Sequence, residues 1–232
     1  MANASTAFGF RHIGGLPGSA PTFEMSVRAI QSTFATPISF GDPVVRANAT
    51  SAYIVNTATT ALIATTPLQG IFVGCQYQPT SGGGVVWSRF WPGNAAATDA
   101  VAYVIDSPEA LFLASSIGSA IGTGQVGLNV GFAINSLSAG IATNAFTAGN
   151  LASAFLPTSG NSPFVIDGAS VATTNTLPFK IRGVFGPSFG NFANNAPGMF
   201  GGVGNGSDPT SLFNWVIVTF NQQAYQAGQS GE

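Results

Sequence analysis

Short runs rich in Val, Ile, Phe, Tyr and Trp, each fenced by Gly, Pro, Asn or Asp, recur along this chain and leave little room for long helices. The runs at 23–30, 44–46, 52–55, 70–77, 85–91, 100–105, 111–114, 126–134, 164–166, 179–185 and 215–220 read as strands. The first is the clearest. Phe23, Met25, Val27 and Ala29 fall on one face and Glu24, Ser26 and Arg28 on the other, the period of two of a half-buried strand. In 179–184 the only Lys and one Arg share a face, whereas 215–220 is apolar on both faces and reads as a central strand.

Helix finds little support. Asp106-Ser107-Pro108-Glu109 carries the polar cap and first-turn Pro of a helix start, but Gly118 and Gly122 follow soon after. The other candidate, 148–155, runs into Pro157. The chain therefore reads as all-β: a sandwich or barrel-like domain with long Gly-rich loops, an extended N-terminal arm and at most one or two short helices. The arm is assigned to 1–21, where glycines and prolines interrupt Phe8, Phe10 and Ile13 without periodicity. A single β-rich domain is assigned to 22–232, with 115–175 as the place for an inserted subdomain. No repeat at the 20-to-50-residue period of propellers or solenoids is visible.

Only 6 Lys or Arg and 8 Asp or Glu stand among 232 residues, for a net charge of −2. Such a chain offers no basic footprint for a polyanion, so no nucleic-acid partner is expected. One Cys and one His make neither a disulfide framework nor a His/Cys zinc site, and neither a metal nor another cofactor is expected. The stretch 110–166 is free of formal charge, yet Gly, Asn and Pro break it before any window reaches the length of a membrane span. The first residues lack the basic and apolar regions of a secretory leader. The expectation is a soluble protein made in the cytoplasm, with no membrane partner.

The catalytic motifs fail on chemistry. Gly186-Pro187-Ser188-Phe189-Gly190 has the spacing of a nucleophile elbow, but the only His is His12, far upstream, and Pro187 suits a loop. Gly122-Thr123-Gly124-Gln125-Val126-Gly127 has the spacing of a dinucleotide-binding turn without a βαβ unit or an acidic residue at the expected distance. Asp42, Asp106, Asp167 and Asp208 each stand directly before, or two residues before, a Pro or Gly, which is turn chemistry. Cys75 lies in an apolar run with no base nearby in sequence and reads as a buried small hydrophobe. No catalytic residue is assigned, and the chain does not read as an enzyme. Trp87, Phe90 and Trp91 read either as core or as a platform for a partner or a sugar.

Subtracting catalysis leaves a Phe-rich, nearly uncharged, turn-dense chain. A near-neutral surface favours association, and charge is depleted at the centres of protein interfaces. Four segments add a resemblance. The opening from Met1 to Arg11, the run Gly70-Ile71-Phe72-Val73-Gly74-Cys75-Gln76-Tyr77, the segment Trp87-Ser88-Arg89-Phe90-Trp91-Pro92-Gly93, and Asn214-Trp215-Val216-Ile217-Val218 followed by Asn221-Gln222-Gln223-Ala224-Tyr225 resemble small capsid-associated structural proteins of tailed bacteriophages. The resemblance covers both ends and 70–113 but not 115–175. It implies a virion protein on the capsid surface, a head decoration (cement) protein that binds the major capsid protein and itself as a trimer and stabilises the shell. The alternatives are another virion component, such as a coat or tail subunit, or a carbohydrate-binding adhesin. On this reading Phe8, Phe10 and Arg11 form a strap to a neighbour or else cap their own barrel, and Trp87, Phe90 and Trp91 serve as interface anchors. A strap predicts that removing residues 1–12 frees the protein from particles and leaves it folded.

Overall fold

The computed structural model describes residues 7–15, 25–47, 51–56, 67–93, 98–134, 162–185 and 208–221. They hold twelve strands: β1 (Arg11–Gly15), β2 (Met25–Ile30), β3 (Pro43–Arg46), β4 (Ile54–Asn56), β5 (Gly70–Tyr77), β6 (Val86–Ser88), β7 (Ala100–Ile105), β8 (Ala110–Ile117), β9 (Asn129–Ile134), β10 (Phe164–Ala172), β11 (Phe179–Phe185) and β12 (Trp215–Phe220). The only helical element among the described residues is a single 3-10 turn, Thr123–Gln125. The fold is all-β, as the punctuated sequence implies.

The strands form two curled sheets, ordered β2-β7-β5-β3-β4 and β1-β8-β10-β9-β11-β12. Each curls until it meets itself. In the first, a parallel bridge between Ala29 of β2 and Tyr53, the residue before β4, closes the ring. In the second, β8 pairs with β12 on one edge and runs parallel to β10 through Ile166–Ser116 and Asp167–Ile117. The outcome is two small barrels in tandem, with β6 as a hairpin strand outside the first and β1 added to the second.

The two barrels share one topology. Counting the strands of each ring in chain order, both run first, fifth, fourth, second, third, with the third parallel to the first and every other neighbour antiparallel. The correspondence reaches single hydrogen bonds. The Gly41 N–H donates to the Phe72 carbonyl at 2.8 Å, and the Gly127 N–H to the Ile181 carbonyl at 2.9 Å. Phe72 returns a bond to the Asp42 carbonyl at 2.8 Å, and Ile181 to that of Leu128 at 2.9 Å. The Asp42 N–H reaches the Ser39 carbonyl at 3.0 Å, and the Leu128 N–H that of Gln125 at 3.1 Å. The fourth strand breaks register at the same point in each barrel, between Phe72 and Gly74 and between Ile181 and Gly183. These matches align 25–46 with 111–132 without a gap, yet only Gly41/Gly127 and Val44/Val130 are identical there.

Barrel one is filled by Ile30, Ile38, Val44, Ile54, Phe72, Cys75, Trp91 and the small Ala100 and Ala102. Barrel two is filled by phenylalanine. Phe179 stacks on Phe220 at 5.7 Å between centroids, Phe220 meets Phe112 edge-on at 5.1 Å, and Phe132 meets Phe164 at 5.7 Å. Val45, Leu68, Ile71 and Ile105 of barrel one belong to this same cluster, so the barrels share a core.

Two expectations are corrected. Residues 7–15 are part of the fold, because β1 pairs with β8 and Phe10 enters barrel two; an arm separate from the domain does not describe them. The described parts of 115–175 supply β9, β10 and the end of β8, three strands of the second ring, so they are not an insertion. The helix start at Asp106 is instead a turn, closed by Ala110 N–H on the Ser107 carbonyl at 3.1 Å, that leads into β8. The 148–155 helix candidate lies outside the described residues.

Candidate functional site

The six candidate contact residues have different fates. Phe10 is 1% exposed; its ring stacks on Phe179 at 4.6 Å and meets Phe132 edge-on at 6.3 Å. Its N–H donates to the Gly41 carbonyl at 3.0 Å, which ties barrel one to the segment that plugs barrel two. Phe8 is half-buried, edge-on to Trp215 at 5.6 Å. The Arg11 guanidinium lies 4.6 Å from the Phe40 centroid, as does that of Arg89, and burial first, then the charge of Arg89, lowers the Arg11 pKa. A strap that leaves the fold intact when removed is therefore overturned, since Phe10 is a core residue whose partners face inward.

Trp91 is fully buried, its Nε1–H donating to the Phe34 carbonyl at 3.0 Å and its ring edge-on to Tyr77. It cannot anchor a partner from there. Phe90 is half-buried, and its carbonyl accepts the Ser88 hydroxyl at 2.6 Å and the Cys75 thiol at 3.4 Å.

Trp87 is the exception, 67% exposed on β6. Its indole lies nearly parallel to the Tyr103 ring, 5.3 Å between centroids and 12° between planes. The Tyr103 hydroxyl donates to Gln76 Oε1 at 3.2 Å, and Gln76 is the cross-strand partner of Trp87. On the other side of Tyr103, β2 pairs Val27 with it directly, and Met25 follows two residues along on the same face. Val27 is 60% exposed and Met25 50%. Trp87, Tyr103, Val27 and Met25 thus form an outward apolar strip across β6, β5, β7 and β2.

Sequence reasoning missed this arrangement by assuming that the apolar face of β2 points inward. The reverse holds. Ile30 and the stem side of Arg28 and Ser26 face the barrel, where Asp106 accepts from Ser26 Oγ at 2.6 Å and from Arg28 at 2.7 Å. The signal was available: Ile30 breaks the alternation and belongs to the polar side.

Titratable groups are dispersed. Among the described residues no group of three or more His, Cys, Asp or Glu could hold a metal ion. Burial pushes the Cys75 thiol up to about 12. His12 sits edge-on to Phe112, and burial lowers its pKa against the raising effect of a backbone hydrogen bond at Gly14. The Asp42 carboxyl is buried between the barrels and accepts the Ser39 N–H at 2.8 Å; burial raises it to about 7, against the pull of hydrogen bonds from Ser162 and Ser39. Asp167 and Asp208 cap their own turns, accepting from Ala169 and Thr210 N–H, while Asp106 has the tertiary role above. Gly122–Gly127 is the loop of the 3-10 turn, the counterpart of the turn at Gly41. The 186–190 motif lies outside the described residues. No helix among the described residues is long and apolar enough to cross a membrane.

Compared with protein-family models, with curated proteins and with solved structures, the chain matches none.

Proposed function

We propose that this chain is a non-enzymatic assembly component of a large symmetric particle, a head-associated virion protein that binds the outer surface of a capsid shell and stabilises it. One observation carries the reading: an apolar, aromatic strip stands outward on a rigid sheet, in a chain with 14 formal charges among 232 residues. Exposed contiguous apolar surface marks interaction sites, and Trp and Tyr are the residues that anchor them. Strands β5, β7 and β2 under the strip pack a closed barrel with their other face, and β6 is paired to β5, so the strip is preorganised and binding orders little. The sequence resemblance supplies the finer terms: the major capsid protein as partner and a decoration role. A shell bound by such a protein gains stability by mass action, because the bound state exists only when the shell is assembled.

The test is co-sedimentation of the purified chain with capsids of the virus that encodes it. Saturable binding, weakened at least tenfold by Trp87→Ala, supports the reading; absence of binding at any concentration overturns it. The exposed face of Trp87 beside Gln76 and Tyr103 also favours a second reading, a module that stacks a neutral sugar. Glycan binding by the isolated chain, lost in the same variant, supports that one instead.

A further inference from the structure

The two barrels differ at one place where their common topology predicts likeness. The first strand of barrel two carries an extra neighbour: β1 pairs antiparallel with Ala110, Leu111, Phe112 and Leu113, along the edge of β8 that faces away from β12. In barrel one the described part of the matching stretch is Met25–Val27, the start of β2. There β7 borders one edge, while on the other the described residues place only Tyr53, bridged to Ala29 farther along. Met25, Ser26 and Val27 thus present strand edge where the sister barrel has a strand.

We propose that this edge is a seat for an intermolecular strand, and that its occupant is the same edge of a second copy, paired antiparallel about a twofold axis at Ser26. The proposal rests on the reading of this chain as an assembly component and names the surface through which it meets itself. Antiparallel pairing of two identical strands is self-complementary, so it satisfies the free N–H and C=O groups of both copies at once. Charge permits it. Met25, Ser26 and Val27 carry none, and the Arg28 guanidinium is held by Asp106 at 2.7 Å. The register centred on Ser26 sets Met25 of each copy against Val27 of the other, on the face where both stand exposed. Two strips then become one continuous apolar band, running from Trp87 of one copy through the seam to Trp87 of the next. Such a contact is isologous and closes as a dimer, in place of the trimer that the resemblance implies.

Light scattering of the full chain after size exclusion tests this. The expected mass is twice the 23.5 kDa of one chain. Met25→Lys/Val27→Lys sets like charges across the seam and halves the mass, as does Met25→Glu/Val27→Glu; mixing the two variants restores the double mass. Thermal melts coincident with the parent show that both variants fold. A parent protein with the mass of one chain, or a Lys variant that keeps the double mass, overturns the proposal. Neither result bears on co-sedimentation with capsids, so this inference and the reading beneath it fail separately.

Discussion

Gly41 and Gly127 hold the same position in two barrels, at φ of +91° and +93°, each donating its N–H to the fourth strand of its own ring. Side chains other than Gly are strained in that conformation. The sites differ in their surroundings: a Cβ at Gly41 meets the Phe10 N at 3.0 Å and O at 3.1 Å, whereas one at Gly127 meets nothing within 4 Å. Gly127→Ala is expected to lose about 1–2 kcal/mol from backbone strain alone. Gly41→Ala is expected to lose more, because the Phe10 segment must also shift. Urea titration of both variants checks the order.

Phe10 links the first described residues to both barrels, and its loss is a core deletion. Phe10→Ala is expected to cost about 3–5 kcal/mol, the range for large-to-small changes in packed cores. Removing residues 1–12 should lower the melting temperature at least as far. Calorimetry of the two variants decides it; a truncated chain that melts with the parent contradicts the internal role.

This bears on what the sequence could tell. Strands such as β5, β7, β11 and β12 were legible because their runs are apolar and cleanly bounded by turn residues. β1 was not, since Arg11-His12-Ile13-Gly14-Gly15 has no alternation and its pairing shifts register between His12 and Gly14. The shared topology of the two barrels was hidden for a different reason. Ring closure depends on hydrogen bonds and alternation, which many residues satisfy, so Phe179 can stand where the first barrel has Gly70, and Phe132 where it has Arg46. Within 25–46 only the turn glycine, whose conformation excludes other residues, was held in common with one core valine. In the candidate site, the exposed Trp87 could not be told from the buried Phe10 and Trp91 by sequence, because burial depends on neighbours distant in sequence.

The Asp42 carboxyl should give the fold a pH dependence. In the folded chain it titrates at about 7, against 3.8 as its ordinary value. Between those values the folded state holds a proton that the unfolded state has released. Stability from this group is therefore full below about pH 4 and falls as pH rises to about 7, by a few kcal/mol at most. Asp42→Asn should abolish that decline and melt higher than the parent at pH 8. Denaturation series at pH 5 and pH 8 measure it, and a parent whose stability rises over that interval contradicts the assignment.

Cys75 should be chemically silent while the barrel is closed. Its thiol is buried, is raised to about 12 and donates to the Phe90 carbonyl. A thiol reagent at pH 8 should leave the native chain unmodified and label it fully in denaturant; stoichiometric labelling of the native chain would show that barrel one opens.

The central claim is that this chain works by lying against neighbours through the strip that includes Trp87. Cryo-electron microscopy of capsids saturated with the protein tests it most directly. The expected map shows density at symmetry-related sites on the outer shell, with the β6–β5–β7–β2 face turned toward a neighbouring subunit and Trp87 covered. A map in which bound copies turn that face to solvent, or particles that carry no added density at saturating protein, would contradict the claim.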